Sequence, residues 1–106
     1  MEYPAYKKLI YERIYTNALN LGEFYFFLLR KFNKQTADYW IEHLSFQLID
    51  ITQLISIQAS AYKFNRKKEH LSYADCIGYI SAQIHRLQFL TGDHAFAQEP
   101  NVTFLQ

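Results

Sequence analysis

The run LSYADCIGYISAQIHRLQFLTGD, from Leu71 to Asp93, constrains this chain more than any other stretch. Ser72 is an N-cap residue, and Asp75 stands three places on, the capping-box spacing. Tyr73, Ile77, Ile80, Ile84 and Leu87 recur at steps of four and three, which is one apolar stripe of a helix. Ala74, Gly78 and Ala82 form a row of small side chains beside it, suited to close packing of helix on sheet. Gln88 to Leu90 is short, apolar and stopped by Thr91-Gly92, as a buried strand is. The stretch therefore predicts a helix–strand unit with a carboxylate at each end: Asp75 opens the helix and Asp93 follows the strand.

The rest of the chain alternates in the same way. Pro4 to Glu12 has helical spacing, with Pro4 suited to a first turn. Ile14-Tyr15-Thr16 is a very short strand closed by Asn17, and Ala18 to Phe32 a long helix apolar nearly all round, expected to be buried or packed on two sides. Arg30, Lys31 and Lys34 put positive charge at its C-terminus, where the dipole favours it. Gln35 to Leu44 is a helix with Thr36 as its cap and Trp40, Ile41 and Leu44 facing inward, and Phe46 to Ile51 a strand. Thr52 caps a helix from Gln53 to about Arg66 with Leu54, Ile57, Ala61 and Phe64 on one face. Asn65 to His70 is a polar, basic link. After the central unit come a single turn at His94 to Ala97, a break at Pro100 and a last strand at Val102 to Leu105. Strands alternating with helices predict an α/β fold with parallel pairing.

With 106 residues, the chain suits one domain, and the 50% hydrophobic content supplies a core. Nine Tyr and nine Phe exceed what such a core needs and point to an interface. A net charge of +1 gives no broad basic field to announce nucleic-acid binding. The single cysteine, Cys76, cannot form an internal disulfide and fits a reducing cytosol, so a cytoplasmic setting is expected. No apolar run is long enough to predict a membrane span. His43, His70, His85 and His94 lack zinc-motif spacing, and no glycine-rich phosphate loop is present.

Three acids fall at comparable places. Asp93 follows a strand's carboxyl end, Asp75 sits in a first helical turn, and Glu23 lies in the first turns of the helix after the Ile14 strand. Ligands of open parallel sheets bind in the crevice beyond the strands' carboxyl ends. Acids gathered there repel one another unless a cation joins them, and Mg²⁺ takes one or two carboxylates plus water. Each acid also has a plainer reading. Asp75 completes a capping box, Asp93 caps the turn after it, and Glu23 faces solvent. Capping and metal binding are compatible. Lys63, Arg66, Lys67 and Lys68 form a basic cluster at a helix end, read either as a solvated, dipole-favoured group or as a phosphate-contacting patch.

LSYADCIGYISAQ followed by FLTGDHAF and NVTFL resembles the C-terminal half of a PIN domain, and NALNLGEFYFFLLRKF resembles an upstream helix of that family. The resemblance spans roughly Ile14 to Gln106. It implies a three-layer α/β/α fold with a mainly parallel sheet, and a Mg²⁺- or Mn²⁺-dependent endoribonuclease like the toxins of toxin–antitoxin pairs. Glu23, Asp75 and Asp93 match its metal-binding acids, and Thr91 a position that supports the metal site by its hydroxyl. The chain departs from the family at its start. Met1-Glu2-Tyr3-Pro4 resembles the segment after the family's first strand, so that central strand and its Asp are expected to be missing. Two functions follow: a metal-dependent ribonuclease with weakened activity, or a non-catalytic, truncated remnant acting as an oligomeric interaction protein. Expected partners are an RNA substrate, an antitoxin or a separately encoded N-terminal fragment, and a second copy. The expected homodimer has a four-stranded sheet per chain, its central gap either closed by direct pairing of the Ile14 and Gln88 strands or filled or covered by another chain, with aromatics of the first two helices near the interface.

Overall fold

The computed structural model describes residues 13–91 and 93–104. The expected helix from Pro4 to Glu12 lies outside them. The chain divides into two compact units, the first ending at Asp50 and the second beginning at Ile51.

In the first unit, strand β1 (Arg13–Thr16) leads into helices α1 (Ala18–Lys31) and α2 (Lys34–His43) and strand β2 (Ser45–Leu48). Asn17 both ends β1 and caps α1. Its Oδ1 accepts from the Asn20 N–H at 2.7 Å, and its amide donates to Asn20 Oδ1 at 2.7 Å. The reciprocal pair lets this polar side chain lie buried. The cap of α2 is Asn33, which accepts from the Thr36 N–H at 2.8 Å, in place of the expected Thr36. Asn is the stronger cap, and it starts the helix one residue sooner than expected. β2 begins at Ser45 and stops at Leu48, short of the expected Ile51, because its partner is only four residues long. The two pair in parallel from Arg13↔Ser45 to Thr16↔Leu48.

α1 is not enclosed as its composition suggested. Leu28 is its buried residue, while Leu19, Phe26 and Leu29 are exposed. Its polar link to α2 runs through Asp38, which accepts from the Tyr25 hydroxyl at 2.5 Å and from Lys34 Nζ at 2.7 Å. The Lys34 and Tyr25 hydrogen bonds hold the Asp38 carboxyl below its ordinary range. Several of the helix's rings lie under cations: Arg30 over Phe26 at 5.9 Å, and Lys31 over Phe27 at 5.6 Å.

The second unit comprises α3 (Gln53–Asn65), a 3₁₀ turn (Lys67–Glu69), α4 (Tyr73–Ile84), β3 (Phe89–Thr91), a second 3₁₀ turn (His94–Phe96) and β4 (Val102–Phe104). Thr52 caps α3 as expected, its hydroxyl accepting from the Ile55 N–H at 3.2 Å. Its core-facing residues are Ile55 and Ala59, with Tyr62 half-buried against the same core. The stripe of Leu54, Ile57, Ala61 and Phe64 faces outward instead.

Ser72 caps α4, accepting from the Asp75 N–H at 3.0 Å. The helix stops at Ile84 rather than continuing to Leu87. Arg86 takes a left-handed conformation, φ 57°. The Leu87 N–H reaches back to the Ala82 carbonyl at 2.8 Å and the Arg86 N–H to Gln83 at 3.2 Å. That paired pattern is a Schellman ending, usually built on glycine. Ile77, Ile80, Ala74 and Ala82 are buried, while Tyr73 and Ile84 at the stripe's ends are exposed.

β3 begins at Phe89, one residue later than expected, where its N–H meets the Asn101 carbonyl at 2.8 Å and opens the ladder. It pairs in parallel with β4, from Phe89↔Val102 to Thr91↔Phe104. The described strands therefore form two two-stranded parallel sheets, not the single four-stranded sheet expected from direct pairing of the Ile14 and Gln88 strands. The expected β1–β2 and β3–β4 pairs both form, and the pairing of β1 with β3 does not. The fold is α/β with parallel pairing.

Candidate metal centre

Asp75 and Asp93 belong to the second unit, on elements that each contribute a ring to one aromatic core. Tyr79, one turn beyond Asp75, packs against Phe89 at 5.7 Å and Phe96 at 5.5 Å. Phe89 meets Phe96 edge-on at 5.4 Å. Phe96 closes the short turn that Asp93 opens. The core thus fixes both the first turn of α4 and the turn after β3.

Asp93 has a defined local role. Its Oδ1 accepts from the Ala95 N–H at 2.9 Å, capping the 3₁₀ turn. Its own N–H donates to the Thr91 hydroxyl at 3.0 Å. Thr91 is buried, so its hydroxyl acts here on the Asp93 backbone. The cap uses one carboxylate oxygen and leaves Oδ2 outside it. Asp75 is half-buried at the start of α4, where Ser72 holds its N–H. Burial pushes the pKa of the adjacent Cys76 thiol up, against the lowering effect of the Lys63 charge and with a smaller rise from Asp75.

Glu23 lies in the first unit, exposed on α1. Among the described residues, no group of three or more His, Cys, Asp or Glu side chains is gathered so as to hold a metal. Asp75 and Asp93 each carry a carboxylate, the hard oxygen donor that Mg²⁺ or Mn²⁺ takes, one or two of them completed by water. The donor chemistry fits such an ion.

The basic cluster divides. Arg66 commits all five of its N–H donors to the chain. Nε and one terminal nitrogen form a fork on Glu69, each at 2.6 Å. The others reach the Ala95 carbonyl at 2.9 Å, the Tyr62 hydroxyl and Glu99. The guanidinium also lies over the Tyr62 ring at 5.1 Å and the Phe96 ring at 5.9 Å. These contacts tie the end of α3 to the turn that carries Asp93. The Arg66 hydrogen bond holds the Glu69 carboxyl below its ordinary range, and burial pushes the Tyr62 hydroxyl up to about 12. Lys63 donates to the Leu71 carbonyl. Lys67 lies over the Phe64 ring at 4.5 Å, and Lys68 is exposed. The Arg66–Glu69 pair has helical i,i+3 spacing that a sequence displays. Its bond to Glu99, thirty-three residues away, has no such signal.

The family model of the PIN domain matches residues 2–100, and the chain belongs to the PIN-domain family. PIN domains are generally divalent-metal-dependent nucleases. Among solved structures, the chain is similar to one from a toxin–antitoxin complex of Klebsiella pneumoniae. The identity is 25%, with 82% of this chain and 69% of that chain covered and a TM-score of 0.58. No curated protein matches the chain.

Proposed function

We propose that the chain is a PIN-family endoribonuclease toxin dependent on Mg²⁺ or Mn²⁺, cytoplasmic, held by an antitoxin partner. The observation that carries this reading is the PIN family match over residues 2–100, which takes in Glu23, Asp75 and Asp93. Asp93 and Asp75 would hold the ion, and Glu23 is the third candidate ligand. The bound ion would activate water and stabilise charge on the phosphodiester. Thr91 positions the Asp93 backbone, and the Arg66 network fixes the turn that follows. Lys67 and Lys68, rather than the fully engaged Arg66, are the basic groups offered to an RNA phosphate backbone, with Lys63 beside them. The toxin–antitoxin neighbour supports the antitoxin partner, and the aromatic surplus supports a homodimer.

A second reading is a non-catalytic PIN protein that acts through oligomerisation. It is favoured by the local work of Asp93, whose carboxylate caps the turn at Ala95. Cleavage of a mixed-sequence RNA by the purified chain, with Mn²⁺ or with chelator, separates the two. The nuclease reading expects metal-dependent cleavage that Asp93→Asn abolishes. No cleavage in either condition, with the chain folded, supports the second.

A further inference from the structure

Asp93 is held by two residues of the turn that follows it, and Arg66 holds both of those. The Ala95 N–H donates to Asp93 Oδ1 at 2.9 Å, and the Phe96 N–H donates to the Asp93 carbonyl at 3.1 Å. The peptide group that carries the Phe96 N–H presents its other end, the Ala95 carbonyl, to Arg66 Nη2 at 2.9 Å. The same guanidinium lies over the Phe96 ring and bonds the Glu99 carboxylate, while the Glu99 N–H donates to the Phe96 carbonyl at 3.0 Å. Arg66 is itself anchored at the end of α3. Its backbone N–H reaches the Tyr62 and Lys63 carbonyls at 3.2 Å, and its fork rests on Glu69. On the strand side, the Asp93 N–H is fixed by the Thr91 hydroxyl.

We propose that Arg66 is a positioning residue for the Asp93 carboxylate, acting through the peptide between Ala95 and Phe96. The proposal rests on the reading of Asp93 as a metal ligand. A cation bonded to a carbonyl makes a charge-assisted hydrogen bond and polarises that peptide, which strengthens the bond its N–H donates. Here that N–H grips the Asp93 backbone, while the neighbouring Ala95 N–H grips its side chain. With carbonyl and Oδ1 both pinned, rotation about the Asp93 Cα–Cβ bond is blocked and Oδ2, outside the cap, keeps one direction. A ligand already oriented gives up less freedom when an ion binds. Partners that orient a metal ligand are worth roughly 10–100-fold in metal affinity. Lysine does not substitute, because a point charge without the planar fork cannot serve Glu69, Glu99 and Ala95 together.

The test uses the full chain and Mn²⁺ alone, titrated at a temperature where circular dichroism shows each variant folded. Arg66→Met is expected to bind Mn²⁺ roughly 10–100-fold more weakly than the wild type. Arg66→Lys is expected to fall between the two, and it carries the test should Arg66→Met not fold. Ile55→Ala, a core variant of the same helix away from the turn, is expected to melt earlier and to bind Mn²⁺ as the wild type does. In an Asp93→Asn background, Arg66→Met should weaken binding no further. Without metal, hydrogen exchange at the Ala95 and Phe96 amides should quicken about tenfold or more in Arg66→Met and not in Ile55→Ala. Wild-type affinity in the Arg66 variants, or a loss that Ile55→Ala shares, overturns the positioning role while the metal centre stands. A wild type that binds no Mn²⁺, or binds it equally well as Asp93→Asn, overturns the metal centre and the proposal with it.

Discussion

The two units use a similar number of residues very differently. In the second, Ile55, Leu71, Ile77, Tyr79, Ile80, Phe89 and Phe96 join one continuous buried cluster, and its polar network closes around Arg66. In the first, Leu28, Ala37, Trp40 and Leu44 are the buried apolar residues among those described, and α1 leaves much of its apolar surface in water. Apolar composition is comparable along both. Periodicity does not make the difference, since α1 and α4 are amphipathic to a similar degree; what differs is that α4 brings Tyr79 against Phe89 and Phe96 in one aromatic cluster. The acids tied to the aromatic cluster are Asp75 and Asp93, and Glu23 sits on exposed helix.

The largest expected effect follows from this contrast. Phe96→Ala removes a fully buried ring shared by Tyr79 and Phe89 and is expected to cost about 3–5 kcal/mol. Leu28→Ala, in the sparser unit where neighbours can relax, is expected to cost about 2–3 kcal/mol. Urea titration of both variants checks the ranking, and an equal or larger loss at Leu28 breaks it. Next comes Arg66→Met, which strands Glu99 and the Ala95 carbonyl and is expected to cost about 2 kcal/mol. Its pH signature is specific. The Glu69 carboxyl is lowered in the folded state, so its contribution is present above the ordinary carboxylate range and is lost as pH falls through the lowered value. Acid titration of the wild type should therefore show a loss that Arg66→Met no longer shows. If both proteins lose stability in parallel, the fork is not the source. Arg86→Gly should act in the other direction, stabilising by roughly 0.5–1 kcal/mol, because glycine takes the left-handed ending of α4 without the Cβ penalty. A fall in melting temperature for that variant would contradict the Schellman ending.

What the sequence made legible was local. Ser72 and Thr52 as caps, the parallel alternation, and the Asp93 turn each follow from two or three neighbouring residues. Ends were less legible. α4 stops on Arg86, a residue type that carries no glycine signal, and Asn33 displaced Thr36 because both cap well. Pairing across the chain was least legible. The expected four-stranded sheet set β2 beside β1 and β4 beside β3, and both pairs form; the join of β1 to β3 does not, because it followed from closing an expected gap and from no signal in the two strands themselves. The α3 stripe was recognisable as one face, but a period of three and four does not say whether that face meets a core or water.

Mn²⁺ binding to the folded chain, followed by isothermal titration calorimetry, separates a metal-holding Asp93 from a structural one. Asp93→Asn is the variant to pair with it, because asparagine keeps the cap on the Ala95 N–H while removing the charge. The wild type is expected to bind Mn²⁺ and Asp93→Asn to lose that binding, with melting in metal-free buffer unchanged or slightly higher as carboxylate repulsion is relieved. Equal binding by both proteins, or a melting temperature that falls by several degrees in Asp93→Asn without metal, would make Asp93 a structural cap and contradict the metal centre.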